Sequence, residues 1–171
     1  VKEGNHHFQS GKFAIAQTLY MKSLRTLYIE GLKEGIVIRD SKDDDEVMFS
    51  DFLGDPEISN ATSYADQLAS KVSETLIMLK QNNKGTFVTD DDDCGGLMDL
   101  IDATRKSGED DLLYLMTYSI CAADLLNNTA AVLFLTKHTK SSLQLNYKVL
   151  RLRGLIHGRK SIAAAESLQN I

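Results

Sequence analysis

The sequence predicts an all-α fold, an antiparallel helix-hairpin bundle of about six to seven helices joined by long acidic loops. Three observations carry that expectation. Apolar residues recur at three- and four-residue steps through most of the chain, the period of helices buried along one face. A single proline, Pro56, leaves long stretches free to be helical. Strand signals are confined to two short runs, Gly35-Ile36-Val37-Ile38 and Thr86-Phe87-Val88-Thr89.

The elements follow in order. Residues 1–9 form a first helix, and 12 to about 31 a second, with Phe13, Ala16, Leu19, Tyr20, Leu24 and Leu27 on its apolar stripe. From 35 to 60 the character changes. Asp43-Asp44-Asp45-Glu46, two glycines and the proline read as a loop. An amphipathic helix spans about 61–81, its stripe formed by Ala65, Leu68, Val72, Leu76 and Leu79. A second loop, 82–96, carries Asp90-Asp91-Asp92-Asp93, and a short helix follows from 97 to about 106. Ser107-Gly108-Glu109-Asp110-Asp111 looks like a helix start, its acids placed at the positive end of the dipole. Residues 112–135 are apolar almost all round, which marks this helix as the central one. Two last helices, about 141–156 and 161–168, are separated by His157-Gly158-Arg159-Lys160.

A chain of 171 residues suffices for one domain with a sizeable core. The organisation expected is one helical-repeat domain: a helix pair at 1–34, an insertion with the acidic loops at 35–111, and C-terminal helices at 112–171. The net charge of −5 and the pI near 5.3 argue against nucleic acid as the partner. No run of about 18 apolar residues occurs, so no membrane span is expected. Cys94 and Cys121 lack zinc-site spacing and are too few for a disulfide framework. They point to a reducing compartment, cytoplasmic or nuclear. Without a secretory signal, the sequons at Asn60 and Asn127 are set aside. No initiator methionine precedes Val1, so the sequence is expected to be a fragment of a longer protein.

No catalytic residue, metal or cofactor is expected. His6 and His7 are adjacent and point in two directions on a helix, which is poor ligand geometry. His138 and His157 are isolated, and no glycine-rich phosphate loop occurs. The acidic runs fail as calcium loops. In the run from Asp40, Lys42 and Asp45 stand at the third and sixth positions. In the run from Asp90, Ile101 stands where glutamate is needed.

Gly4, Gly11, Phe13, Ala16 and Tyr20 together resemble a tetratricopeptide (TPR) repeat, a helix–turn–helix unit in which small residues let two helices pack closely. Asn127-Asn128-Thr129-Ala130-Ala131 looks like the first helix of a second repeat, with Thr136 where the terminator glycine belongs. Tyr147 to Ala163 is a third partial match, ended by Gly158. The resemblance implies a degenerate repeat domain with a large insertion after its first repeat.

That resemblance implies a non-enzymatic protein-binding module, possible in co-chaperones that hold the acidic C-terminal tails of Hsp70/Hsp90-type chaperones in a two-carboxylate clamp. Carried onto this chain, the peptide-binding residues are Asn5, Asn127, Lys148, Arg151 and Arg153, and the first basic position of the clamp falls on Val1. Directed donors suit a peptide's terminal carboxylate. The alternative is a scaffold resembling microtubule-interacting-and-trafficking bundles, which take a partner's amphipathic helix in a groove. Gln17 to Leu24 fits that helix equally well. Clamp binding weakens steeply with salt and groove binding does not.

Overall fold

Buried side chains at helical steps organise the chain into seven helices among the residues described, which are 1–38, 59–82, 95–104 and 110–171 of a computed structural model. They are α1 (Lys2–Gln9), α2 (Phe13–Lys33), α3 (Ser59–Asn82), α4 (Leu97–Thr104), α5 (Asp110–Leu135), α6 (Thr139–His157) and α7 (Ile162–Gln169). No strand occurs among the described residues, and the class is all-α. Both acidic runs, Thr86 to Thr89, Cys94 and most of the Ser107 helix start lie outside them; Asp110 and Asp111 form the first turn of α5.

α5 is the axis of the bundle. It packs against α2, α3, α4 and α6, and Leu125, Leu126, Ala130, Val132 and Leu133 are fully enclosed. It is also long and apolar enough to cross a membrane by length and composition. Here more than half of its apolar stretch is buried against other helices, as a core helix is. α6 lies beside α5 and carries α3, α4 and α7 on its remaining sides, while α1 packs on α2. α3 sits in the segment expected to be an insertion. It contributes Tyr64, Ala65, Leu68, Ala69 and Val72 to the same core cluster as α2, α5 and α6.

The hairpins are built by close approach and by sharp chain reversal. Gly4 faces the Tyr20 ring so closely that a β-carbon would lie 2.6 Å from Tyr20 Cε1. Gly11 then takes φ +72°, and Lys12 N–H donates to His7 O at 2.9 Å. That pairing closes a helix with one left-handed residue just past its end. The same device ends α2. Gly35 takes φ +65°, and Ile36 N–H donates to Gly31 O at 2.8 Å. The β-like run Gly35 to Ile38 is thus the cap of α2, with Ile36 and Val37 folded back into the core. A third instance ends α5, where His138 N–H donates to Leu133 O at 2.8 Å. Here the left-handed residue is Lys137, at φ +69°. Gly158, at φ +88°, breaks α6 from α7, and Ser161 Oγ caps α7 by accepting from Ala164 N–H at 3.2 Å.

Candidate functional site

Each of the five residues carried over from the clamp has a partner inside the fold. Asn5 Oδ1 accepts from Tyr20 Oη at 2.7 Å and from Asn128 Nδ2 at 3.2 Å, which ties α1, α2 and α5 together. The asparagine brought to Asn5 is therefore Asn128. Its neighbour Asn127 turns to α7, where its Oδ1 accepts from Asn170 Nδ2 at 3.1 Å. Thr129 of the same sequon is fully buried.

The three cations of α6 divide between two sides. Lys148 Nζ grips both carboxylate oxygens of Asp66 on α3, at 2.9 and 2.7 Å, and Arg151 Nη1 lies 3.8 Å from Oδ1 of the same residue. Arg153 points toward α7 and is itself buried. Its Nη2 donates to Asp124 at 2.8 Å, and its Nη1 donates to Ser167 Oγ at 3.2 Å and Ala163 O at 3.4 Å. The structure thus brings Lys148 and Arg151 together on one carboxylate. It separates them from Arg153, and it does not join the two asparagines.

Two surface cavities stand out among the described residues. One, of about 590 Å³, lies between the end of α2, α3 and the start of α5, with Glu34, Lys71, Thr75, Asp111 and Tyr114 on its walls. Tyr114 Oη donates across α2 and α5 to Glu30 at 3.0 Å. The second, of about 390 Å³, opens where the end of α5, the start of α6 and the end of α7 meet. Phe134, Leu135 and Ile171 give it an apolar wall, and Asn146 and Asn170 a polar one.

The titrating groups in the interior are structural. Tyr64 Oη and Tyr118 Oη lie 2.7 Å apart, and Tyr118 donates to Leu27 O, so Tyr64 donates to Tyr118. Burial pushes the Tyr118 phenol up to about 12 and drives that of Tyr64 higher still. Near the end of α6, burial and then the nearby Arg153 guanidinium hold the His157 imidazole below its ordinary range.

Sequence reasoning passed over Lys137, Lys140, Phe134 and Asn146. One signal marks their region. Residues 125–165 contain no aspartate or glutamate and seven lysines and arginines, in a chain of net charge −5. Lys137, Lys140 and Arg159 are exposed there, and none of them pairs with a carboxylate among the described residues. No family model, no curated protein and no solved structure matches the chain.

Proposed function

We propose that the chain is a helical, TPR-like protein-binding module, without bond-making chemistry of its own, and that its ligand is a short acidic segment of a partner protein. The observation that carries this reading is the acid-free block of residues 125–165, with its exposed Lys137, Lys140 and Arg159, which pair with no carboxylate among the described residues. Exposed cations on an otherwise acidic chain attract a ligand of negative charge and repel a basic one. The acidic tail of an Hsp70/Hsp90-type chaperone is one ligand of this chemistry. Lys148 and Arg151 already hold the carboxylate of Asp66, so a ligand carboxylate arriving there competes with it. Asn5 and Asn127 act in this reading as ties between helices.

A second reading, a groove for a partner's amphipathic helix, is favoured by the exposure of Phe134, at 61 %. Salt separates the two. The titration compares an acidic chaperone-tail peptide as the free acid, its amidated form and a charge-neutral variant, at low and high ionic strength. Affinity that falls several-fold with salt and with loss of the charges supports the acidic ligand. Affinity indifferent to both overturns it in favour of the apolar groove.

A further inference from the structure

We infer that the cavity at the α5–α6–α7 junction is the docking pocket of this module, and that it takes one large apolar side chain from a peptide whose flanking residues are acidic. This rests on the reading of the chain as a protein-binding module and adds the place and the recognition chemistry. Four observations converge on it.

The first is shape and apolarity. The cavity holds about 390 Å³, and Phe134, Leu135 and Ile171 stand around it, with Phe134 61 % and Leu135 46 % exposed. A single anchor inserted among such side chains is the usual core of a peptide interface. The second is an idle acceptor in the wall. Asn146 is only 4 % exposed, and its two hydrogen bonds, to Asn170 O at 3.0 Å and Ser142 Oγ at 3.4 Å, both leave from Nδ2. Among the described residues no donor reaches its Oδ1. The oxygen is not enclosed by the fold, and a peptide N–H entering the cavity pairs with it.

The third is charge. Lys137 and Lys140 flank Phe134, Leu135 and Ser142 along the chain, and no carboxylate among the described residues pairs with either. An acidic flank is therefore attracted by cations two residues from lining positions Leu135 and Ser142, and a basic one is repelled. The fourth is the backbone under Lys137. The caps of α1 and α2 give the left-handed position to Gly11 and Gly35, and the cap of α5 gives it to a lysine. A side chain at φ +69° is a local cost that glycine avoids. The lysine stands two residues from Leu135, which lines the cavity, so its charge falls close to a bound peptide's flank.

This last point makes fold and function separable in one variant. Lys137→Gly is expected to raise the melting temperature by about 2–4 °C and to weaken binding. The test selects peptides from a random twelve-residue display library on the full chain. The selected peptides are then titrated against wild type, Lys137→Gly, Lys140→Glu and Phe134→Ala. The expected peptides carry one large apolar residue with Asp or Glu beside it. Their affinity falls about tenfold in Phe134→Ala and several-fold in each lysine variant, while Lys137→Gly melts higher than wild type. Peptides that bind all four proteins equally overturn this pocket and leave the protein-binding reading standing. Selection of basic peptides overturns the acidic partner. Failure to select any peptide overturns both. A concentration-dependent dimer that Phe134→Ala dissolves shows a second copy of the chain to be the occupant, and overturns the peptide.

Discussion

Gly4 decides how α1 sits on α2. A β-carbon at this position would meet Tyr20 Cε1 at 2.6 Å and Cδ1 at 2.9 Å. The ring has little room to retreat, because Tyr20 is buried and its hydroxyl is held by Asn5. Alanine gains about 1 kcal/mol of helix propensity over glycine, and the clash works against it. Gly4→Ala is expected to lower stability by about 1–3 kcal/mol, the usual cost of overpacking. Denaturant unfolding measures the loss, and the same substitution in a Tyr20→Leu background costs much less if the ring is the cause. The Gly4 and Gly11 roles were legible because close approach and left-handed turning are properties of glycine itself. The role of Asn5 was not. Its second partner, Asn128, lies 123 positions away, and no spacing within one helix announces which neighbour arrives.

At the scale of elements, the helices were legible because each buries a stripe with its own period. Stripes at Ala61, Tyr64, Ala65, Leu68 and Val72, or at Leu145, Val149, Leu152 and Ile156, need no tertiary information to be read. The end of α5 was read at 135, where the structure has it, but the way it closes was not. Lysine carries no turn signal, and the chain reverses at Lys137 because Leu133 O captures His138 N–H, not because of the residue type. α7 is a different case. With eight residues it is too short to persist alone, and α6 holds it in place. Arg153 contributes to that hold through Ser167 Oγ and Ala163 O, its Nη1 lies 3.9 Å from Glu166 Oε2, and Asp124 ties it back to α5. Asp124 and Glu166 are well solvated, so the ion pairs count for less than the bonds to α7. Arg153→Met is expected to cost about 1–3 kcal/mol. Hydrogen exchange in α7 should accelerate while α5 and α3 stay protected. Equal acceleration across the bundle would show that Arg153 supports the whole core instead.

At the scale of the molecule, two unlike sites set the pH range over which the bundle is stable. His157, at the end of α6, has its pKa lowered from 6.5, chiefly by burial and next by Arg153, with Asp124 and Asp99 opposing. The unfolded chain therefore takes up this proton at higher pH than the folded one. The contribution of neutral His157 is complete above about 6.5 and is lost as pH falls through that value toward the folded pKa. His157→Gln should flatten stability across that window. The tyrosine pair between α3 and α5 acts at the opposite end. Burial raises both phenols above 10.0, Tyr118 to about 12. The folded chain keeps these protons where the unfolded chain loses them. Their contribution is complete below about pH 10 and is lost as pH rises toward the folded values. Tyr64→Phe tests this cleanly, because Tyr118 still donates to Leu27 O and no hydroxyl is orphaned. Urea midpoints measured from pH 5 to pH 11 should show a shallower alkaline fall in Tyr64→Phe and an unchanged acid limb. His157→Gln should show the reverse. The two sites share no hydrogen-bond partner, so the double variant is expected to show both changes at once, each of its single-variant size. An acid limb that moves with Tyr64, or an alkaline limb that moves with His157, would mean that the two sites are coupled through α5.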